Sequence, residues 1–113
     1  MRPGDMVLIR LPAAGGATPK LRPALILSML PGPYQNTLIC GVSTQLHELQ
    51  SEWDEMIGPS DADFAGSGLR RTSAIRLSYV FAADANEIVG VIGAIANDRL
   101  RRLLLRLANH LTQ

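Results

Sequence analysis

Short apolar runs separated by turn residues fill the first half of the chain, and they predict a β-sheet. The segments DMVLIRL (5–11), RPALILSM (22–29) and TLICGVST (37–44) are rich in aliphatic and β-branched residues and are bounded by Pro, Gly or Asn. Pro23 opens its strand, where a missing N–H is tolerated. We expect the second and third runs to form an antiparallel hairpin across the turn LPGPYQN, and PAAGGATPK (12–20) to form a surface loop.

The second half of the chain predicts further strands with less regular patterns. SEWDEMI (51–57) alternates as an edge strand would, with Trp53 and Met56 as inward anchors. TSAIRLSYVFAAD (72–84) contains aromatic and β-branched residues that suit one long strand or two consecutive ones. EIVGVIGAI (87–95) predicts a last short strand, although its two glycines weaken a strand.

The C-terminal segment predicts an amphipathic helix. Asn97 is a suitable N-cap, and Asp98 falls in the first turn. One face carries Leu100, Leu103, Leu104, Leu107, Ala108 and Leu111, and the other carries Arg99, Arg102 and Arg106. Such a basic helix can bind a membrane or nucleic acid, but a leucine stripe packed on the sheet with arginines in water is the favoured interpretation. Strands followed by one helix predict an α+β, mostly β fold, or a small half-open barrel with a helix laid on it.

Composition narrows the class of protein. The 113 residues, of which 47% are hydrophobic and 19% charged, predict a single globular domain spanning 1–113. No apolar run approaches the roughly 20 residues that span a bilayer, and the N-terminal run is too short for a secretory signal. The single cysteine, Cys40, excludes an internal disulfide and a cysteine-rich metal site, and is expected to fill core space. We therefore expect a cytoplasmic protein with no membrane partner.

Charge is unevenly distributed along the chain. Residues 1–22 hold four Lys/Arg and one acid, residues 23–69 hold six acids and no Lys/Arg, and residues 70–113 hold seven basic residues and three acids. Ten of the eleven cations are arginine, which binds phosphate in a bidentate manner. A polyanionic partner is compatible with this segregation if the basic segments share a face, and a solvated surface is the alternative.

Four motifs resemble those of one known family. GDMVLIRLP, KLRPALILS, ICGVSTQ and GLRRTSAIRLSYVFAAD occur in an order and at spacings similar to those of the PemK/MazF toxins. The resemblance implies an SH3-like half-open barrel of about five to seven strands with a C-terminal helix. It also implies a homodimer, a cognate antitoxin that occupies the RNA groove, and a sequence-specific endoribonuclease that cuts single-stranded RNA without metal or other cofactor.

The resemblance also assigns residues. Its Arg-Pro arginine falls on Arg22, its strand-end hydroxyl on Ser43, and the arginine of a later strand on Arg76; these are the candidate catalytic residues. Candidate RNA contacts are Thr44, Gln45, Arg70, Arg71, Ser73 and Ser78. Guanidinium groups suit the charge of a phosphorane-like transition state, and a hydroxyl can donate a hydrogen bond to the scissile phosphate. Antiparallel pairing would place Arg22 and Ser43 at the same end of the sheet.

Several features leave alternatives open. Arg22 can instead be an exposed strand-start arginine paired with Asp5 or another acid, and Ser43 can satisfy local backbone groups. Where many family members carry an acid, this chain has Ser78, and His47 is a further acid–base candidate. A gyrase-inhibiting toxin resembling the CcdB branch and a degenerate, DNA-binding or dimerising module are rival functions. The acidic stretch Glu48 to Asp63 is expected to lie away from any nucleic-acid groove.

Overall fold

The computed structural model describes residues 1–11 and 20–113, and it places them in one open sheet with a C-terminal helix. The strands are β1 (Asp5–Leu11), β2 (Lys20–Met29), β3 (Thr37–Ser43), β4 (Glu55–Ile57), β5 (Ser73–Ala83) and β6 (Ile88–Ala94). The helices are α1 (Phe64–Ser67) and α2 (Asn97–Leu111). The described strands are ordered β4-β5-β3-β2-β1-β6, and every neighbouring pair is antiparallel. The predicted half-open, mostly β fold with a terminal helix is confirmed.

The predicted hairpin forms the middle of the sheet. β2 pairs with β3 in a register that puts Ala24 opposite Gly41 and Leu25 opposite Cys40. The loop predicted at 12–20 lies outside the described residues, except for Lys20, which begins β2. Within the described ranges, none of the helices combines the length and the apolar character that crossing a membrane requires.

Both faces of the sheet carry apolar clusters, but helix α2 packs on only one of them. Alternate side chains point to opposite faces of a strand. On one face, Leu25, Leu27 and Cys40 form a large core with Leu103 of α2. Burial, followed by the charge of Asp54, raises the pKa of the Cys40 thiol to about 12, which fits the predicted role as a core hydrophobe. The other face carries a smaller cluster formed by Val7, Ile9, Ala24, Ile26, Ile39 and Ala83.

The fourth strand departs from its predicted anchors. β4 is an edge strand, as expected, but it covers only Glu55–Ile57. Met56 is 53% exposed, whereas Ile57 is fully buried. The prediction of Met56 as an inward anchor is therefore wrong by one residue, which is the shift that reverses the faces of a strand. Trp53 lies before the strand and packs partly buried against the large core.

The last strand is confirmed, and one of its glycines has a packing role. A Cβ on Gly93 would lie 2.3 Å from the carbonyl oxygen of Gly66, just before the end of α1. Such contacts do not occur, so only glycine allows α1 to approach β6 this closely.

The start of helix α2 is stabilised from outside the helix. Ala96, not Asn97, is the N-cap residue, so the predicted cap is wrong. The Asp63 carboxylate takes the place of a capping side chain, since Asp63 Oδ2 accepts a hydrogen bond from the Ala96 N–H at 3.1 Å. Leu103 is fully buried as the leucine stripe predicts, whereas Leu111 at the far end is 72% exposed.

The helix arginines were expected in water, and this prediction is wrong for Arg99 and for Arg106, whose side chain is 24% exposed, whereas the Arg102 side chain is 49% exposed. Arg99 is only 7% exposed. Its Nε and Nη2 atoms donate to Asp63 at 2.8 and 3.1 Å, and its Nη1 donates to Glu55 at 2.8 Å. Arg102 and Arg106 also donate to Glu55. Three of the six acids of the stretch, Glu55, Asp61 and Asp63, therefore attach helix α2 to the edge of the sheet.

Stability should fall on acidification because of this network. Burial opposes ionisation of Glu55, but hydrogen bonding and charge from Arg102, with Arg99 and Arg106, lower its pKa below 4.5. The hydrogen bond from Arg99 lowers the pKa of Asp63 below 3.8. Groups with a depressed folded-state pKa stabilise above their unfolded pKa and lose that contribution as the pH falls through the folded value. We expect the free energy of unfolding, measured by urea titration, to decrease progressively below about pH 4.5.

Candidate functional site

A cavity of about 330 Å³, here the central cavity, opens on the face of the sheet that helix α2 leaves uncovered. Its lining comprises Ile9, Arg22, Pro23, Gly41, Val42, Ser43, Thr44, Gln45, Glu48, Arg76, Tyr79 and Phe81. The register explains the grouping, because Ile9 pairs with Arg22 and Gly41 pairs with Arg76. Arg22 and Ser43 lie two residues beyond the Ala24–Gly41 pair, on the same face. The structure thus brings all three predicted catalytic residues together.

Arg22 is exposed and free to meet an anion. Its extended backbone follows from the proline after it, which disfavours the helical region. Among the described residues it takes part in no ion pair, and Asp5, its candidate structural partner, accepts a hydrogen bond from the Arg2 N–H instead. A role of Arg22 as the counter-ion of Asp5 is therefore not supported.

Ser43 satisfies a local backbone group, which is one of the two roles considered for it, and keeps a hydrogen that it can donate. Its Oγ accepts a hydrogen bond from the Gln45 N–H at 3.0 Å, which starts the turn after β3. A hydroxyl has one hydrogen to donate besides its acceptor lone pairs. Because the bond from Gln45 uses only a lone pair, the hydroxyl hydrogen can still point to a ligand oxygen.

A wide bulge in β5 carries Arg76 into the central cavity. Gly41 pairs with Arg76 while the adjacent Cys40 pairs with Val80, so Leu77, Ser78 and Tyr79 are extra residues on β5. Bulges of this kind redirect side chains and are frequent beside active sites. Of the two alternatives predicted for residues 72–84, one long strand or two consecutive ones, the structure has one long strand with this interruption.

Arg76 is held by neighbours but retains an unused donor. Its Nη1 lies 3.0 Å from Glu48 Oε2, and its guanidinium carbon lies 5.8 Å from the centre of the Tyr79 ring. Its Nε is buried and has no hydrogen-bond partner in the described part of the chain. Buried donors normally have a partner.

Ser78 has a structural partner instead of a place in the cavity. Asp54, which is 6% exposed, accepts hydrogen bonds from the Ser78 N–H and hydroxyl, both at 2.9 Å. It also accepts one from the Gln50 N–H at 3.0 Å. This buried carboxylate fixes the bulge, so Ser78 positions Arg76 and Tyr79 indirectly. Ser78 does not line the central cavity.

The remaining predicted RNA contacts line a second, adjoining cavity of about 450 Å³, here the side cavity. Arg70, Arg71 and Ser73 line it, and it shares Pro23 and Thr44 with the central cavity. The Ser73 hydroxyl donates to the Arg71 carbonyl at 2.8 Å, and the residue is buried. The two cavities form a continuous surface with arginine at both ends.

The acidic stretch does not lie entirely away from the cavity, which corrects the expectation for it. Glu48 lines the central cavity and pairs with Arg76, whereas Glu55, Asp61 and Asp63 face helix α2. An ion-paired Glu48 does not make the cavity acidic, because Arg22 and Arg76 outnumber it. His47 Nε2 lies 4.0 Å from Glu48 Oε1, and the His47 side chain is 75% exposed.

Sequence reasoning did not predict that Tyr79, Phe81 and Glu48 line the central cavity. The two aromatic rings lie 5.2 Å apart at a tilt of 59°, and Tyr79 remains 46% exposed. Regular alternation along β5 would place Arg76 and Tyr79 on opposite faces of the sheet. Because the bulge interrupts this alternation, the position of Tyr79 beside Arg76 could not be predicted from the sequence. In the described ranges, no three His, Cys, Asp or Glu side chains are grouped as a metal site would group them.

Comparison with known proteins agrees with this geometry. A family model described as "PemK-like, MazF-like toxin of type II toxin-antitoxin system" matches residues 2–111. No curated protein matches the chain.

Proposed function

Because the chain belongs to the family of PemK-like, MazF-like toxins of type II toxin–antitoxin systems, we propose that it is an endoribonuclease toxin. It would cut single-stranded RNA at a specific sequence, without a metal ion or other cofactor. Family membership implies an antitoxin partner. We further propose that the whole chain is one domain that acts as a homodimer in the cytoplasm.

The observation that carries this proposal is the composition of the central cavity. Two guanidinium groups, Arg22 and Arg76, and the Ser43 hydroxyl line one open site of about 330 Å³. That volume lies at the lower end of the roughly 300–1,000 Å³ typical of ligand sites. Bidentate arginines are well suited to a phosphate diester, and donors placed where charge develops stabilise the transition state.

Each group has a distinct role in metal-independent cleavage. The 2′-hydroxyl of the RNA attacks the adjacent phosphorus, and negative charge grows on the phosphorane oxygens. Arg22 and Arg76 neutralise that charge, and the Ser43 hydroxyl donates a hydrogen bond to a non-bridging oxygen. Arg70 and Arg71 in the side cavity bind neighbouring phosphates, with Thr44 and Gln45 contacting the bases between them.

The proposal is tested by incubating the purified chain with a mixed pool of single-stranded RNA in EDTA. We expect discrete cuts at a recurring sequence, and products that carry 2′,3′-cyclic phosphate and 5′-hydroxyl ends. A pool with 2′-O-methyl riboses should bind but stay intact. An uncut RNA pool, combined with inhibition of gyrase by the same preparation, would favour the CcdB-like alternative.

Tyr79 should supply stacking for a nucleobase. Stacking on an aromatic side chain contributes about 1–3 kcal/mol per base. We therefore expect Tyr79→Ala to weaken binding of 2′-O-methyl RNA by roughly 5- to 150-fold in fluorescence anisotropy, and Tyr79→Phe to retain most of the affinity. Tyr34→Ala is the matched control, since Tyr34 is 79% exposed and outside both cavities. Equal losses for Tyr79→Ala and Tyr34→Ala would contradict stacking in the cavity.

A further inference from the structure

Glu48 is the only acidic side chain, among the residues that the structure describes, that lines the central cavity. It belongs to the short 3₁₀ turn Leu46–Glu48, which begins three residues after the end of β3 at Ser43. Its N–H donates to the Gln45 carbonyl at 3.1 Å, and its own carbonyl accepts from the Gln50 side-chain amide at 3.2 Å. The backbone of Glu48 is therefore fixed beside the cavity from both sides.

The two carboxylate oxygens of Glu48 have different environments. Oε2 lies 3.0 Å from Arg76 Nη1. Oε1 has His47 Nε2 at 4.0 Å, which is beyond hydrogen-bond reach. The Glu48 side chain is 42% exposed, and Oε1 accepts no hydrogen bond from the described residues. One oxygen thus orients the carboxylate, and the other is able to accept a proton.

We propose that Glu48 is the general base of the cleavage reaction, an inference that rests on the proposed endoribonuclease function. Oε1 takes the proton from the 2′-hydroxyl as its oxygen bonds to phosphorus and the bond from phosphorus to the 5′-oxygen breaks. The leaving 5′-oxygen takes a proton from water, and Glu48 later returns its proton to solvent. The products are a 2′,3′-cyclic phosphate and a 5′-hydroxyl, with no external oxidant or metal required.

The ion pair with Arg76 couples proton transfer to charge stabilisation. In the resting cavity, Arg76 Nη1 is engaged by the Glu48 carboxylate. When Glu48 becomes neutral by taking the proton, its attraction for Arg76 weakens as charge grows on the phosphorane. The Arg76 guanidinium is then free to donate to the phosphorane oxygens while negative charge grows on them.

The other titratable groups near the site are less suited to act as the base. Asp54 is 6% exposed, and its oxygens already accept three hydrogen bonds. His47 does not line the central cavity, and Ser78 is bound to Asp54. Glu48 therefore takes the part that an acid at position 78 would have played.

The test compares wild-type protein with Glu48→Gln, Glu48→Asp and the matched control Glu52→Gln. Glu52 is exposed and lies outside the cavity. We expect Glu48→Gln to cleave the RNA pool about 10²- to 10⁴-fold more slowly, which is the usual loss for a missing general base. Glu48→Asp should retain part of the rate, and Glu52→Gln all of it. Binding of 2′-O-methyl RNA by Glu48→Gln should be no weaker than wild type, because a negative charge has been removed.

A pH–rate profile gives a second readout. Among the described residues, the charged or titratable groups that share the central cavity with Glu48 or contact it are Arg22 on β2, Arg76 and Tyr79 on β5, and His47 on its own turn. The wild-type rate should rise with pH and then level off, as it does for a reaction with a general base. The residual rate of Glu48→Gln should continue to rise with hydroxide, and His47→Asn should keep the wild-type profile.

The outcomes separate the two proposals. If wild type cuts RNA and Glu48→Gln cuts it equally fast, the base assignment fails while the endoribonuclease function stands. If Glu48→Gln loses RNA binding together with rate, Glu48 only holds Arg76 in place, and the assignment also fails. If wild type cuts no RNA, the proposed function itself fails, and the role of Glu48 fails with it.

Discussion

Replacing Arg22 by alanine should reduce RNA cleavage by at least about 10²- to 10³-fold, the loss typical of removing one donor to a developing oxyanion. The free energy of unfolding should change by less than about 1 kcal/mol, because an exposed arginine adds little stability. Arg22 is exposed and has no ion pair among the described residues. Activity and stability should therefore separate cleanly in this variant.

Arg10→Ala is the matched control for Arg22. Arg10 is exposed on the neighbouring strand and pairs with Leu21, so its side chain lies on the opposite face from Arg22. The Arg10→Ala variant should cleave RNA at the wild-type rate. Arg22→Lys should recover only part of the rate, since an ammonium group keeps the charge but lacks the bidentate fork. A large loss of stability with cleavage preserved in Arg22→Ala would show that the arginine is structural.

Replacing Arg99 by methionine should destabilise the fold by about 3–5 kcal/mol, the usual cost of breaking a buried ion pair from one side. The change leaves Asp63 and Glu55 without their shared partner, and each side chain is at most 14% exposed. Urea titration followed by circular dichroism measures the loss. Arg101→Met, on an exposed position of the same helix, should change the free energy of unfolding by no more than about 0.5 kcal/mol.

A second variant shows whether the cost comes from uncompensated charge. Adding Asp63→Asn to Arg99→Met removes one stranded carboxylate, and it should recover part of the lost stability. The Asp63 side chain also accepts from the Ala96 N–H at the start of α2, and asparagine keeps an oxygen for that bond. Equal stabilities of Arg99→Met and Arg101→Met would mean that the network contributes nothing to the fold.

The strands and the terminal helix could be predicted because their signals are local. Alternation and β-branched runs identified β2 and β3, and leucine spacing identified α2. The position of Arg22 beside Ser43 also followed, since it requires only a hairpin and its register. The predictions that were wrong concern contacts between residues distant in sequence, such as Arg99 and Asp63, which are 36 positions apart.

The bulge in β5 limited what could be predicted of the site. It inserts Leu77, Ser78 and Tyr79 opposite a β3 segment without extra residues. Its Ser78 is held by Asp54, a residue 24 positions earlier, through two hydrogen bonds to the carboxylate. Neither the aromatic position of Tyr79 nor the arrival of Glu48 beside Arg76 follows from periodicity, because both depend on how separate segments pack.

The structure of the protein bound to a single-stranded RNA with a 2′-O-methyl group at the cut site tests the central claim most directly. We expect the scissile phosphate in the central cavity, within hydrogen-bond distance of the Arg22 guanidinium and the Ser43 hydroxyl. The neighbouring phosphates should follow the side cavity toward Arg70 and Arg71. An RNA backbone bound on another face, with Arg22 and Ser43 touching only water, would contradict the account.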